Sequence, residues 1–274
     1  MPEPIQRILI TGANGRLGQR LTHAIRNTGS SQEVRALVRS TRAARQIESL
    51  PAASQPHDLQ VVDYNDAEAL TQAAAGCEIA VHLVGIIRES ENTTYTQAHE
   101  DTCGALTTAA RNAGLKHIIY LSIFGADSES PNTCLASKGR AEDLLLASAI
   151  RTTILRIPMV LGPGDPSTLG LMRQARARLV PLVSGGSTLQ QPIDCRDVVY
   201  AEVGRVVSGR YLDSLACAGE RRGPLGEPWI HVCIGGVVLR DIERTWRPVS
   251  RIGRAAGGLN LSDGKNRSGE HPFS

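Results

Sequence analysis

Residues Ile8-Leu9-Ile10-Thr11-Gly12-Ala13-Asn14-Gly15-Arg16-Leu17-Gly18 constrain the fold more than any other stretch of this chain. A short apolar run ends in a glycine-rich turn, and a helical pattern (Leu17, Leu21, Ala24, Ile25) opens directly behind it. Strand, tight turn and helix in that order form the setting in which three spaced glycines cradle a dinucleotide. Gly12 allows the turn, Gly15 leaves room for a pyrophosphate against the backbone, and Gly18 lets the helix pack closely on the strand. The free N–H groups and positive dipole end of the helix then face the phosphates. A plain tight turn explains many glycine triplets, so the flanking elements carry the reading. Gly12, Ala13, Asn14, Gly15, Arg16, Leu17 and Gly18 are the expected cofactor-binding turn.

Behind this unit the chain alternates regularly. Apolar or β-branched runs predict strands over 33–38, 59–62, 79–84, 117–122 and 152–157. Helical spacing is present over 41–50, 95–112 and 137–148. Asn65 with Glu68 has capping-box spacing and predicts a further helix through Ala75. Gly114 stands where a helix C-terminus favours glycine. The run over 79–84 is nearly unbroken in apolar residues, as expected of a parallel strand buried on both faces. Six strands alternating with helices predict an α/β, Rossmann-type doubly wound parallel sheet. The expected division is a nucleotide-binding Rossmann domain over 1–208 and a small, divergent C-terminal lobe over 209–274.

Composition narrows the function classes. With 274 residues, 41% hydrophobic and 21% charged, the chain is of ordinary globular make-up and long enough for one large domain. A net charge of +3 without a basic run argues against nucleic acid, and aromatics at 3% leave few platforms for stacking bases. Cys77, Cys103, Cys134, Cys195, Cys217 and Cys233 are dispersed, with no C-x-x-C and no clustering with histidine. They read as reduced thiols, with no metal site expected. The first strand begins within a few residues of Met1, and the longest apolar runs are too short for a bilayer, so a cytoplasmic location without a membrane span is expected.

Over roughly the first 200 residues the motifs resemble the short-chain dehydrogenase/reductase superfamily in its extended and atypical branches, in the order the fold requires. The resemblance begins with T-G-A-x-G-x-x-G at Thr11 to Gly18 and continues with Asp63 after the third strand. Leu83-Val84-Gly85 ends the fourth strand, Leu121-Ser122 the fifth, and Lys138 lies on the next helix. Arg156-Ile157-Pro158 with Val160-Leu161-Gly162-Pro163-Gly164-Asp165 is similar to the R-x-x-x-V-x-G-P-G-D segment of sugar-nucleotide epimerases. Pro192 to Val198 resembles the later strand-to-helix junction of the same branch. The pattern also resembles proteins grouped with NmrA-like members and the 39-kDa subunit of respiratory complex I, a resemblance that implies NADP(H) binding, often without turnover. The resemblance implies that Asp63 lies near the adenine and that the backbone of Leu83, Val84 and Gly85 passes the adenosine ribose. Lys138 is implied at the nicotinamide ribose.

Charge bears on which dinucleotide binds. An NAD-preferring chain places an acid about 20 residues past the glycine turn to hold the ribose 2′-hydroxyl. Here the second strand ends in Val38-Arg39-Ser40. Arg39 would offer a donor fork to a 2′-phosphate, with Arg16 within reach of the same group, so NADP(H) is expected before NAD(H). The competing reading is two solvated surface arginines. Asp63 has its own competing reading as a turn or capping residue.

The catalytic motif departs from the family pattern. Working members carry Tyr-x-x-x-Lys, where the phenol is the acid or base and the lysine binds ribose and lowers the phenol's pKa. Here it reads Cys134-Leu135-Ala136-Ser137-Lys138. A thiol titrates, but its sulfur lies roughly 4 Å closer to the backbone than a phenol oxygen does. Tyr95 and Tyr120 lie elsewhere in the pattern. Ser122 precedes Cys134 at family-like spacing, although extended members often carry the serine where this chain has Ile123 and Phe124. The candidate catalytic set is therefore Lys138, Cys134 and Ser122. Two functions remain from different classes. One is an NADP(H)-binding or redox-sensing module with weak or no catalysis. The other is an NAD(P)-dependent oxidoreductase or epimerase-like enzyme of unknown substrate. A protein partner is compatible with the first.

Past Gly209 the alternation stops. Residues 215–219 resemble the start of a final strand, 241–246 a short helix, and 255–274 a polar tail.

Overall fold

The computed structural model describes residues 6–28, 31–178 and 192–200, together with the backbone of short strands at 221–222, 228–229 and 231–233. All lie within the compact unit Met1–Val237. The expectations for 215–219, 241–246 and 255–274 lie outside the described residues. Among the described residues no helix is long and apolar enough to cross a membrane.

Strand β1 (Arg7–Thr11) is an interior strand of the main sheet. Ile8 and Ile10 point to one face and Leu9 to the other, all fully buried, because successive strand side chains alternate. The first face meets Leu21 and Ile25 of α1 (Arg16–Arg26), together with Val34 and Val81. The second meets Leu70, Leu106, Ile118 and Tyr120. A strand so placed must be apolar throughout, which is why Ile8-Leu9-Ile10 reads as a run and not as an alternation.

Strand β2 (Glu33–Val38) pairs with β1 on one side, followed by β3 (Asp58–Val61). Strand β4 (Ile79–His82) pairs with β1 on the other, followed by β5 (His117–Ile123) and β6 (Arg151–Ile157). Every pairing in this sheet is parallel, with Ile8 opposite both Val34 and Ile79. The chain leaves β1 in one direction and returns to its other side at β4. That reversal is the switch point, at whose carboxyl ends open α/β sheets bind ligands.

Helix α2 (Thr41–Glu48) starts at Ser40, whose hydroxyl accepts from Ala43 N. Helix α3 (Ala67–Ala74) is capped by Asp66, whose carboxylate accepts from both Glu68 N and Ala69 N at 3.0 Å. The expected cap was Asn65, one residue earlier. Asp66 holds two orphan N–H groups and adds a negative charge at the positive helix end. Helix α4 (Thr102–Ala113) continues from a π-helical turn over Thr96–Asp101 and ends at Gly114 in the left-handed region. Helix α5 (Thr133–Leu146) starts at the Asn132 cap, four residues before its predicted start.

Two short strands, β7 (Val160–Leu161) and β8 (Ile193–Asp194), pair separately, with α6 (Pro166–Ala175) between them. Another small pair joins β9 (Arg221–Arg222) to β10 (Pro228–Trp229). Strand β11 (His231–Cys233) runs parallel to β6 at the sheet edge. The main sheet thus has seven strands in the order β11-β6-β5-β4-β1-β2-β3, one more than the alternation predicts. The added strand is short and separated from β6 by a long stretch, so nothing local announces it.

Candidate nucleotide site

The glycine turn has the geometry its residues imply. Gly12 sits at φ +70, a conformation that side chains resist. A Cβ on Gly18 would stand 2.7 Å from Gly12 O and 2.8 Å from Ala13 Cα, so only glycine lets α1 approach β1 this closely. Gly15 N donates to Gly12 O at 3.0 Å and closes the turn. Helix α1 starts without a side-chain cap, which leaves its first-turn N–H groups for an anion. Asn14 is held through its carbonyl by Gln19 Nε2 at 2.8 Å, Ala13 is fully buried, and Leu17 packs against the core. The Leu83 carbonyl carbon lies 3.2 Å from where a Gly12 Cβ would be, so the exit of β4 lines the same turn.

Tyr64 holds the turn from below and was missed in the sequence. Its hydroxyl donates to Leu37 O at 2.7 Å and accepts from Gly12 N at 2.9 Å. Burial pushes this phenol up to about 12, so it stays neutral and serves as a rivet between β2 and the turn. The only sequence signal was an aromatic residue directly after Asp63.

The remaining candidates are distributed around this turn. Arg39 is exposed at the end of β2, and its positive charge reaches the Tyr64 hydroxyl. Asp63 is exposed, and its carboxylate accepts from Asn65 N at 3.0 Å, a turn contact. Arg16 points elsewhere: its guanidinium lies 3.0 Å from where a Gly164 Cβ would stand. Arg20, one helical turn on, donates to Asp165 at 3.1 and 3.2 Å and to Pro163 O at 2.7 Å. The G-P-G-D segment is thereby tied to the first helix.

Past the carboxyl ends of β4 and β5, Lys138 is buried and donates to Tyr120 Oη at 3.0 Å and Leu121 O at 3.1 Å. Burial lowers its pKa to about 8. Its ammonium lies 4.6 Å from the Tyr120 ring centroid and 3.0 Å from a Cβ that Gly85 lacks. Cys134 lies one turn earlier on α5, half-buried, with its sulfur 4.0 Å from Ile86 O. Lys138, Cys134 and Gly85 are therefore brought together. Ser122 is turned into the protein instead: fully buried, its hydroxyl donates to Glu142 Oε1 at 2.5 Å. Glu142 also accepts both the Nε and Nη2 donors of Arg156.

His82 and His99 add buried imidazoles near this lysine. His82 Nδ1 is 2.7 Å from Thr11 Oγ1, and burial followed by the Lys138 charge pushes its pKa down to about 3. His99 accepts from Ile86 N at 3.1 Å and is lowered to about 4 by the same causes. Both are neutral at physiological pH. A glycine turn with uncapped helix N–H groups, a lysine past the carboxyl ends of β4 and β5 and neutral imidazoles can together bind and orient a dinucleotide.

Comparison with known proteins agrees with this geometry. A family model described as NAD(P)H-binding matches residues 12–178. The chain is similar to a ceramide reductase of Caulobacter vibrioides, at 32% identity over 182 residues, covering 65% of this chain and 54% of that protein. It is similar to NADH dehydrogenase [ubiquinone] 1 alpha subcomplex subunit 9 of Arabidopsis thaliana, at 26% identity, covering 71% of this chain and 48% of that protein. The chain thus spans about half the length of these curated relatives. Among solved structures it resembles a UDP-glucuronic acid 4-epimerase mutant from Bacillus cereus in complex with UDP-4-deoxy-4-fluoro-glucuronic acid and NAD. That likeness has a TM-score of 0.61 at 18% identity, covers 73% of each chain, and concerns the fold.

Proposed function

The chain belongs to the NAD(P)H-binding family, in the extended and atypical branch of the short-chain dehydrogenase/reductase superfamily, and from that premise we propose an NADP(H)-binding redox protein with weak carbonyl reduction. The observation that carries this reading is the pairing of the Gly12–Gly18 turn with Lys138 beside Gly85. Gly12 to Gly18 would hold the pyrophosphate, the backbone of Leu83 to Gly85 the adenosine ribose, and Lys138 the nicotinamide ribose. Arg39 would take the 2′-phosphate. When bound, the dinucleotide supplies a hydride. The protein's own part is to bind, orient and supply a proton, and the cysteine at 134 makes that last task slow.

One relative, named as a ceramide reductase, supports an apolar carbonyl substrate. So do Ile87 and Phe124, 84% and 66% exposed just past β4 and β5. A second reading, a binding or sensing module without turnover, is favoured by the thiol in the position of the motif tyrosine.

Arg39→Ala tests the cofactor assignment. Loss of a charge-assisted contact to phosphate corresponds to ~1.5–3 kcal/mol, or roughly 10- to 150-fold in affinity. Titration should show that loss for NADPH and almost none for NADH. Equal weakening of both would reject the preference for NADP(H).

A further inference from the structure

We propose that Tyr95 supplies the phenolic proton that position 134 no longer carries. The inference rests on the weak-reductase reading above and names the group that performs its proton transfer.

Three side chains meet at the short segment Gly85 to Ile87. Lys138 comes closest at Gly85, His99 takes the Ile86 N–H, and the Cys134 sulfur approaches the Ile86 carbonyl. Tyr95 joins them at Ile87. Its hydroxyl donates to Ile87 O at 3.0 Å, the carbonyl next along the chain from the one the Cys134 sulfur approaches at 4.0 Å. The phenol and the thiol of the motif position therefore converge on the same two carbonyls, Ile87 and Ile86.

Tyr95 is also held there. Its backbone N–H donates to Glu89 Oε1 at 2.7 Å, and its ring stacks on His99 with centroids 5.7 Å apart. The π-helical turn over Thr96–Asp101 begins directly behind it, a feature that concentrates at functional sites. Because His99 Nε2 accepts from Ile86, the ring proton lies on Nδ1. That atom is buried without a hydrogen-bond partner among the described residues. An unsatisfied buried donor beside the cleft marks a place for water or a polar ligand atom.

The step balances as follows. Hydride from a reduced nicotinamide dinucleotide forms a C–H bond at the carbonyl carbon, and the π pair moves to oxygen. The Tyr95 O–H bond breaks as its proton passes to that oxygen, and the phenolate recovers a proton from water. Desolvation followed by Cys134 holds the Tyr95 phenol above its ordinary pKa, so the proton is present at neutral pH but given up slowly.

The test uses the full chain with NADPH and 9,10-phenanthrenequinone. Tyr95→Phe keeps the ring and should lose at least 100-fold in turnover, within the usual range for general acid catalysis, while NADPH affinity stays within twofold. Tyr95→Phe combined with Cys134→Tyr should recover at least tenfold, because a phenol returns to the cleft. Without substrate or cofactor, alkylation of the Cys134 peptide by iodoacetamide should change at least threefold in Tyr95→Phe, as the hydroxyl that holds the Ile87 carbonyl beside it is gone. Unchanged turnover in Tyr95→Phe, unchanged alkylation, or a loss that the double variant does not recover each overturns Tyr95 as donor. Turnover absent from the unaltered protein while NADPH binds overturns the weak-reductase reading itself, and the donor with it.

Discussion

Glu142→Ala is expected to destabilise the protein by about 3 kcal/mol or more. Glu142 sits one turn after Lys138 on α5, 2% exposed, and accepts from Ser122 and from two nitrogens of Arg156. Removing one member of a buried ion pair strands the desolvation cost of the other, which outweighs any cavity effect of so small a change. Arg156 retains about a quarter of its side-chain exposure, which places the loss at the lower end of the range. Glu142→Gln keeps an acceptor for Ser122 and should lose less. Urea denaturation with a common slope reads the difference. A loss below 1 kcal/mol in Glu142→Ala would show that this network adds little to the packing of α5 on β5 and β6. Ser122→Ala removes one of its hydrogen bonds and should lower stability by ~1 kcal/mol, leaving NADPH binding unaltered.

Lys138→Met is expected to move affinity and stability in opposite directions. The ammonium is buried, and its pKa falls from 10.5 to about 8 because burial disfavours the charged form. At about 1.4 kcal/mol per pKa unit, keeping this charge in the folded protein at pH 7 costs about 3 kcal/mol. Methionine removes that cost and retains the apolar stem, while Tyr120 Oη and Leu121 O each lose a partner, together worth ~1–2 kcal/mol. The net expectation is a gain on the order of 1–2 kcal/mol at pH 7. The sign of the pH dependence follows from proton counts. Below about 8 both folded and unfolded lysines are protonated, so the penalty is constant. Between about 8 and 10.5 the unfolded chain binds more protons, so the unaltered protein gains stability as pH rises. The variant should lack that rise. Its NADPH affinity should fall roughly 10-fold or more with the loss of a charge-assisted ribose contact. A variant less stable than the parent at pH 7 would contradict the burial argument. Undiminished NADPH affinity would instead remove Lys138 from the cofactor site.

By itself the sequence determined the α/β class, six strands of a doubly wound parallel sheet and the strand–turn–helix unit at Thr11 to Gly18. These follow from local physics: apolar runs for strands buried on both faces, a helical period, and glycines where a side chain cannot fit. Even a local signal can be ambiguous. Asn65 and Asp66 are both competent caps, and the charged one prevailed. Tertiary structure alone decided which polar groups meet. Ser122 faces Glu142 twenty residues away, Arg16 faces Gly164, and the Tyr64 hydroxyl bridges Gly12 and Leu37. The same holds for Tyr95, which stands 39 positions before Cys134 and belongs to no family motif, yet its hydroxyl bonds Ile87 O beside the Ile86 carbonyl that the thiol approaches. Such pairings depend on where sheet order, strand register and helix packing carry each side chain, and no local pattern of residues encodes the distance between two segments that meet only after the sheet has formed.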